Sequence, residues 1–188
     1  FRQYSKYIAH LLANLDFHAI DRVAKLVIEQ AKTGGTIYFA GNGGSAALAS
    51  HFATDFSHGI MGGSGKLVKA VSLAANMSHI TAIANDHGYE HIFVNQLHHV
   101  LKKEDVLVVI SASGNSPNVV NAVAFANAQG ATTVGLIGFD GGKLKDLCTY
   151  VIHIETEKGQ YGPVEDLHSI LDHMLATYLM IAMKEKSV

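Results

Sequence analysis

Residues 36–57 read TIYFAGNGGSAALASHFATDFS. The first five residues are largely apolar, aromatic or β-branched, which predicts a buried strand, and the glycine-rich turn after them predicts a junction between strand and helix. A helix that begins at such a turn directs its free amides, and the positive end of its dipole, toward whatever lies at its N-terminus. The segment therefore predicts a strand, a tight turn and a helix that together face an anionic group.

The same alternation of strand and helix continues along the chain and predicts an α/β protein with a doubly wound, five-stranded parallel sheet flanked by helices. We expect strands at Thr36–Ala40, Lys69–Leu73, Asp105–Ile110, Thr132–Ile137 and Thr149–Ile154. We expect helices between strands at residues 43–57, 90–102 and 116–129, two N-terminal helices at 2–14 and 16–32, and a long C-terminal helix at Pro163–Lys184.

Composition narrows the class of protein. The 188 residues contain no Pro-rich or Gly/Ser-rich linker, so we expect one domain over residues 1–188. Lys and Arg number 14 against 16 for Asp and Glu, so we expect no nucleic-acid partner. The single cysteine, Cys148, has no intrachain partner, and no apolar run approaches the roughly 18 residues that span a bilayer. These features predict a cytoplasmic protein without a membrane partner.

The terminal helices carry apolar residues at helical spacing, which favours packing against another subunit. An ordinary helix buried in its own subunit would show a similar pattern, so both alternatives stand. The residues concerned are Leu11, Leu12, Leu15 and Ile20 near the N-terminus, and Leu167, Ile170, Leu171, Met174, Leu175, Leu179 and Ile181 near the C-terminus.

A second glycine-serine loop, SASGNSP at residues 111–117, follows the third predicted strand and opens a predicted helix. In a parallel sheet, ligands bind beyond the carboxyl ends of the strands, so both loops are expected to face one ligand. The hydroxyls of Ser111, Ser113 and Ser116, together with a helix dipole, favour a phosphate group. Any one of these serines, taken alone, is more simply interpreted as a helix cap.

Nucleotide-binding motifs do not account for these loops. Gly41, Gly43 and Ala46 fit G-x-G-x-x-G/A, but dinucleotide binding also requires an acidic residue about 20 positions further on. The second predicted strand ends instead in Ala74-Ala75-Asn76. Neither loop contains a lysine or arginine, and G-x-x-x-x-G-K-[ST] is absent. We therefore expect no nucleotide cofactor.

Two groups of histidines and acids supply candidate chemistry. His51 and Asp55 are four residues apart on a predicted helix, so they share a face and can share a proton or bind one metal ion; a surface pair is the simpler alternative. The second group is EDLHSILDH at residues 165–173. We interpret Asp166 and Asp172 as part of a solvated face. His173 lies in a dense apolar segment and is retained as a candidate.

Taken together, these motifs resemble the SIS (sugar isomerase) domain and, within that superfamily, the phosphoheptose isomerase family. The resemblance runs along nearly the whole chain. It rests on GNGGSA at 41–46, His51, TAIANDHGYE at 81–90, SASGNSPNVV at 111–120, DGGK at 140–143 and EDLHSILDH at 165–173.

The resemblance implies an aldose-ketose isomerase that converts sedoheptulose 7-phosphate into D-glycero-D-manno-heptose 7-phosphate through an enediol, for heptose in bacterial surface polysaccharide. It also implies a homotetramer with active sites at subunit interfaces, and His51 and His173 are then expected to meet across chains. A divalent metal is implied as well. Zinc suits such ligands, as do manganese and nickel.

The resemblance assigns roles to particular residues. The implied metal ligands are His51, Asp55, Glu165 and His173, and the implied catalytic residues are Asp55, Glu165 and His173. The implied substrate-binding residues are Asn42, Gly43, Gly44, Ser45, Asp86, Ser111, Ala112, Ser113, Asn115 and Ser116.

Three positions depart from the family pattern. Asp55 stands where the family has a glutamate base, Glu165 where it has a glutamine ligand, and Gly162 where it has an aspartate that contacts sugar hydroxyls. A displacement of about 1 Å in a base can cost on the order of a hundredfold in rate. Either Asp55 or Glu165 is therefore the base, and the sugar phosphate is left open.

A second class of function fits the loops without catalysis. A SIS module that senses a phosphosugar, or binds a protein as the replication-initiator-binding relatives do, would keep the serines and lose the acid/base residues. Retention of His51, Glu165 and His173 counts against this alternative, whereas the departure at Asp55 counts for it.

Overall fold

The five apolar runs form one parallel sheet in the computed structural model, which describes residues 1–185. The strands are β1 Thr36–Gly41, β2 Lys69–Ser72, β3 Val106–Ser111, β4 Thr132–Phe139 and β5 Tyr150–Glu155. Their order is β2-β1-β3-β4-β5, and every neighbouring pair is parallel. The predicted fold class is confirmed. The prediction of a single domain over residues 1–188 also covers residues 186–188, which lie outside the described residues, and stays a prediction.

Helices cover both faces of this sheet. They are α1 Arg2–Ala13, α2 Phe17–Thr33, α3 Gly44–Thr54, α4 Ile60–Ser64, α5 Met77–His87, α6 Val94–Leu97, α7 Pro117–Ala128, α8 Leu144–Leu147 and α9 Tyr161–Glu185. A π-helical turn, Asp55–Gly59, joins α3 to α4. Over residues 1–185, no helix combines the length and apolar character needed to cross a membrane.

The helix predicted at residues 90–102 is wrong. That region forms a single 3₁₀ turn at Tyr89–His91 and the one-turn helix α6, while α5 occupies residues that the sequence pattern left unassigned. Asn76 starts α5 by accepting a hydrogen bond from the His79 amide at 3.1 Å. The helix escapes a pattern search because none of its residues is buried in the chain, so it carries no complete apolar stripe.

The core lies on both faces of the sheet. All six residues of β3 are buried, and successive side chains point to opposite faces. Val106, Val108 and Ile110 pack with the terminal helices and α3, whereas Leu107 and Val109 pack with α7. This two-sided burial explains why the central strands are continuously apolar.

The C-terminal helix α9 bears on the two alternatives that the sequence left open, which are packing within its own subunit and packing against a second subunit. Leu167, Leu171, Leu175 and Leu179 of α9 are buried within the chain itself. Ile181, on the same helix, is 56% exposed. The apolar stripe of α9 therefore belongs mainly to the core of its own subunit, and packing against a second subunit stays a prediction.

Sheet register places both glycine-serine loops at one edge. Gly41, the last residue of β1, pairs with Ile110, the penultimate residue of β3. The chain leaves β1 toward β2 on one side and leaves β3 toward β4 on the other, so the two connections diverge between these strands. This divergence opens the crevice in which parallel α/β sheets bind ligands.

The loop after β3 requires a glycine at position 114. Gly114 has a φ of +61°, and a Cβ atom there would approach the carbonyl oxygen of Gly141 to 1.9 Å. The Leu144 amide donates to the Gly114 carbonyl at 3.1 Å, which fixes residues 140–144 against this loop. The loop is thus held by close backbone packing that no other residue permits.

Replacing Gly114 with alanine should lower the free energy of unfolding by about 2–5 kcal/mol, since it combines a left-handed conformation, about 1–2 kcal/mol, with overpacking, about 1–3 kcal/mol. Gly65 provides the matched control, because it has a φ of +72° and open space around its Cβ position. Gly65→Ala should show the first cost alone. Urea unfolding measures both variants, and equal losses would contradict the packing argument.

Candidate active site

The turn between β1 and α3 is too tight for side chains at its first glycine. A Cβ atom at Gly41 would lie 2.8 Å from the carbonyl carbon of Ser45. Gly43 follows with a φ of +54°, and α3 begins at Gly44. Ser45 is buried, so its hydroxyl is held in the first turn of the helix beside the carboxyl end of β1.

Serine side chains of the second loop gather at the same place. The Oγ atom of Ser111 accepts a hydrogen bond from the Gly114 amide at 3.2 Å, and that of Ser113 accepts one from the Asn115 amide at 3.3 Å. Ser116 is the N-cap of α7 but makes no side-chain capping bond. Accepting an amide hydrogen bond leaves a serine hydroxyl with its proton free to be donated to a ligand.

These serines line one depression, which we call the serine depression. Its walls are Asn42, Ser45, Ile110, Ser111, Ala112, Ser113, Ser116, Tyr161 and Glu165. The structure thus brings together six of the predicted substrate-binding residues, and the side chain of Glu165 from α9 lies beside them. Tyr161, the first residue of α9, is a lining residue that sequence reasoning missed.

Other predicted substrate-binding residues lie elsewhere. Gly44 lines a neighbouring depression, and Gly43 is exposed at the turn. Asn115 uses its side chain within its own loop, where it donates to the Ser113 carbonyl at 2.9 Å and accepts from the Lys143 amide at 3.1 Å. Asp86 is exposed near the end of α5 and lines neither depression.

Asn42 is tied to the second loop by an amide pair. Its Nδ2 donates to Oδ1 of Asn118 at 2.9 Å, and Nδ2 of Asn118 donates back to its Oδ1 at 2.8 Å. The Tyr89 hydroxyl also donates to Asn42, at 3.0 Å. Sequence reasoning missed Asn118, since an asparagine in the first turn of a helix carries no distinctive signal. This pair fixes the two loops relative to each other.

A cluster of histidines and aspartates lies beside the serine depression. Four side chains, His51, Asp55, Asp172 and His173, each place one nitrogen or oxygen within 4.8 Å of the others. Nε2 of His51 lies 3.2 Å from Nε2 of His173, 3.4 Å from Oδ2 of Asp55 and 3.6 Å from Oδ2 of Asp172. We call these four residues the His/Asp cluster.

Local helix geometry builds the cluster. His51 lies on α3, and Asp55 begins the π-helical turn, a feature frequent at functional sites. Asp172 and His173 come from α9, which packs against both of these elements. The expectation that His51 and His173 meet only across chains is therefore wrong, because one chain brings them together.

Asp172 also corrects the sequence interpretation. It was assigned to a solvated face, but its side chain has a relative accessibility of 0%. Neither of its carboxylate oxygens has a hydrogen-bond partner among the described residues. Burial, followed by the nearby Asp55 carboxylate, raises the pKa of Asp172 to about 7.

Asp166 is exposed as expected, and it accepts a hydrogen bond from the Tyr4 hydroxyl at 2.6 Å.

Glu165 lies outside the His/Asp cluster, although the sequence pattern grouped it with His51 and His173. Its carboxylate faces Gly44, where a Cβ atom would lie 3.3 Å from Oε2 of Glu165. Seven residues separate Glu165 from Asp172, which is two helical turns. The helix α9 thus presents Glu165 to the serine depression and Asp172 to the cluster.

A second depression lies over the cluster, and we call it the histidine depression. It is lined by Gly44, Ala47, Leu48, His51, Ser169, Asp172 and His173. Gly44 borders it, and the Glu165 carboxylate that lines the serine depression lies against the same glycine. The two depressions are therefore neighbours, with no bulky side chain at position 44 between them.

Fold and site together define a class of protein. Residues 2–138 match the SIS domain family, and the chain belongs to it. Within this class, the chain is 40% identical over 158 residues to a phosphoheptose isomerase of Nitratidesulfovibrio vulgaris, covering 82% of this chain and 74% of the relative. It is 36% identical over 156 residues to one of Aliarcobacter butzleri, covering 83% and 81%. The chain is a member of the phosphoheptose isomerase family.

Solved structures agree with this assignment. The phosphoheptose isomerase of Neisseria gonorrhoeae has a TM-score of 0.80 and 29% identity, with 94% of this chain and 91% of that chain covered. The one from Francisella tularensis has a TM-score of 0.82 and 26% identity, with 95% and 93% covered. The predicted family is confirmed.

His168 is a buried imidazole on α9, with a relative accessibility of 0%. Burial lowers the pKa of His168 to about 4, although the nearby backbone of Ile137 acts in the opposite direction. An unfolded chain protonates this imidazole below its ordinary pKa, about 6.5. Acid therefore favours the unfolded state, and the loss of stability develops as the pH falls from about 6.5 to about 4.

His168→Gln should remove this sensitivity to acid. Because the unfolded chain binds a proton that the buried imidazole does not, the wild type loses about 2 kcal/mol of stability at about pH 5. The loss reaches about 3 kcal/mol at lower pH. Between neutral pH and about pH 5, the free energy of unfolding of the wild type should therefore fall by about 2 kcal/mol more than that of the variant. Urea unfolding at several pH values measures it, and a pH-independent difference would refute the argument.

Proposed function

We propose that this protein is an aldose-ketose isomerase that converts sedoheptulose 7-phosphate into D-glycero-D-manno-heptose 7-phosphate through an enediol. One observation carries the proposal: a hydroxyl-rich anion seat adjoins a cluster of imidazoles and carboxylates at the carboxyl edge of a parallel sheet. The relatives named phosphoheptose isomerase support the choice of substrate. They also favour a role in heptose biosynthesis over a binding module without catalysis.

The serine depression is proposed to hold the phosphate. Its donors are neutral hydroxyls, and the N-termini of α3 and α7 direct their dipoles toward it. Ser45, Ser111, Ser113 and Ser116 would donate hydrogen bonds to the phosphate oxygens. Hydrogen bonds to a charged group contribute about 1.5–3 kcal/mol each, so four hydroxyls suffice without a lysine or arginine.

The size of the site favours a substrate that extends over both depressions. The histidine depression has a volume of about 290 Å³ and the serine depression about 140 Å³. Small-molecule sites usually exceed roughly 300 Å³, so neither depression alone suits a sugar phosphate. With the phosphate against the serines, the rest of the sugar would extend past Gly44 toward the His/Asp cluster.

Glu165 is the proposed general base. Enediol formation requires removal of a proton from the carbon beside the carbonyl, and a positioned carboxylate can accept it. The Glu165 carboxylate lies against Gly44, where the serine depression meets the histidine depression, and takes no part in the His/Asp cluster, so it is available to the sugar carbons beyond the phosphate. Asp55, the alternative base, has its oxygen 3.4 Å from Nε2 of His51 instead.

The donor set of the cluster fits a divalent metal. Imidazole nitrogens and carboxylate oxygens are ligands that zinc prefers, and a cation would compensate the buried Asp172 carboxylate, which has no hydrogen-bond partner among residues 1–185. We propose zinc, held by His51, Asp55 and His173. Such an ion supplies a Lewis acid that polarises a carbonyl. The protein side chains supply the phosphate seat and the base.

Assembly as a cytoplasmic homotetramer forms part of the proposal. The surface retains exposed apolar side chains, among them Met77 of α5 at 67%, Tyr178 of α9 at 49% and Ile181 at 56%. None of the residues of α5 is buried within the chain. Light scattering after gel filtration measures the oligomeric state.

Purified zinc-loaded protein should produce an aldose phosphate from sedoheptulose 7-phosphate, and Glu165→Gln should lower kcat by about 10²–10⁴, the usual contribution of a general base. Asp55→Asn should keep the base but bind zinc less tightly, so excess zinc should restore proton abstraction in Asp55→Asn and not in Glu165→Gln. Deuterium exchange at the substrate carbon distinguishes the two variants, because it measures proton abstraction directly. Wild-type protein that is inactive with zinc, manganese and nickel would refute the function.

Loss of hydroxyls from the serine depression should weaken binding of the phosphate. Ser111→Ala and Ser113→Ala should each raise KM by about tenfold or more, because a hydrogen bond to a charged group contributes about 1.5–3 kcal/mol. Ser5→Ala, on the exposed face of α1, should leave KM unchanged. An unchanged KM in both loop variants would place the phosphate elsewhere.

A further inference from the structure

We propose that Asp172 is a metal ligand, and that it completes a site of two histidines and two aspartates with His51, Asp55 and His173. Glu165, at the position where the family pattern has a ligand, is not one in this chain. This inference rests on the proposed function, because it takes the His/Asp cluster to hold a divalent ion. It changes which residue of α9 completes the coordination.

The three donor separations measured from His51 match those of a tetrahedral site. Bonds of about 2.0–2.2 Å from zinc to nitrogen or oxygen place tetrahedral donors roughly 3.3–3.6 Å apart. From Nε2 of His51, the distances are 3.2 Å to His173, 3.4 Å to Asp55 and 3.6 Å to Asp172. Each of the other three donors therefore lies from Nε2 of His51 at about the distance expected between two ligands of a tetrahedral zinc ion. Asp172 meets this distance as well as Asp55 does.

The nitrogen that Asp172 approaches distinguishes a ligand from an orienting group. A carboxylate that orients a ligating histidine binds the ring nitrogen away from the metal. Asp172 instead approaches Nε2 of His51, the same atom that His173 and Asp55 approach. The four donors thus converge on one common space.

Electrostatics supports the same conclusion. The Asp172 side chain is fully buried, and no hydrogen-bond donor among the described residues satisfies either oxygen. A buried carboxylate without a hydrogen-bond donor is costly, and the nearby Asp55 carboxylate adds repulsion. A divalent cation between the two carboxylates would offset both charges.

Glu165 is not among the donors that gather around this space. Its carboxylate lies over Gly44 and lines the serine depression, two turns of α9 before Asp172. With Asp172 as the ligand, Glu165 is left to the substrate. Zinc also accepts a fifth ligand, so four protein donors do not close the site.

Zinc binding by metal-free protein tests this assignment independently of activity. Asp172→Asn should weaken zinc affinity, measured by calorimetry with a competing chelator, by at least about a hundredfold, since loss of even an outer-shell partner costs about 10–100-fold. Glu165→Gln should stay within about threefold of wild type. Asp166→Asn, the same change at an exposed position of α9, is the matched control.

Thermal unfolding provides the second readout. Metal-free Asp172→Asn should unfold at the same temperature as metal-free wild type or higher, because the variant removes the repulsion between the Asp172 and Asp55 carboxylates. Zinc should raise the unfolding temperature of wild type, Glu165→Gln and Asp166→Asn, but raise that of Asp172→Asn far less. A merely structural aspartate would give the opposite result, a less stable metal-free variant that still responds to zinc.

Several outcomes would overturn the assignment. Wild-type zinc affinity in Asp172→Asn, loss of zinc binding in Glu165→Gln, or an Asp172→Asn variant that does not fold without metal would each do so. Failure of the proposed function is seen separately. If the wild-type protein binds zinc through Asp172 but isomerises no sugar phosphate, the ligand assignment stands and the proposed function is refuted.

Discussion

The pairing of β1 with β3 is the constraint on which the site depends. Because Gly41 lies beside Ile110, the two strands end at the same edge, and the loops after them meet there. The helices α3 and α7 then begin side by side, with their N-termini directed into one crevice. A register shift of one residue would turn every side chain of β3 to the other face and separate the serines from the first loop. The reciprocal amide pair between Asn42 and Asn118 bonds the two loops directly at this point.

The long helix α9 adds the reactive groups to this crevice. Its buried leucines fix its rotation, so that the adjoining side of the helix faces α3. Glu165, Ser169 and Asp172 follow one another at intervals of four and three residues, and therefore line one side of the helix. The apolar core of α9 thus determines which carboxylate meets the serine depression and which meets His51. Packing and chemistry are coupled in one element.

The sequence predicted the parts of the molecule that follow from local pattern. Five apolar runs gave the parallel sheet, and glycine and serine spacing located both loops. It missed α5, because this helix buries none of its residues in its own subunit and so lacks a core-facing stripe. It also misassigned Asp172, since an aspartate among leucines has the same spacing whether its side faces water or a neighbouring helix. Only the packing of α9 against α3 and the π-helical turn distinguishes these cases, and that packing involves contacts more than 100 residues apart.

Asp172 connects the departures of this chain from the family pattern. Asp55 is one methylene shorter than the glutamate of the pattern, so its carboxylate stays close to α3 and reaches less far toward the substrate. Glu165 replaces a neutral amide by a carboxylate, which adds a charge and a base at the serine depression. If Glu165 also ligated the metal, no carboxylate would remain free for proton abstraction, whereas Asp172 as a ligand releases it. A buried carboxylate without a hydrogen-bond partner among the described residues is costly, and it is tolerated where a cation offsets it. Under the proposed ligand set, the three acidic residues form one arrangement: two carboxylates that would balance a divalent charge, and a third that the substrate would reach.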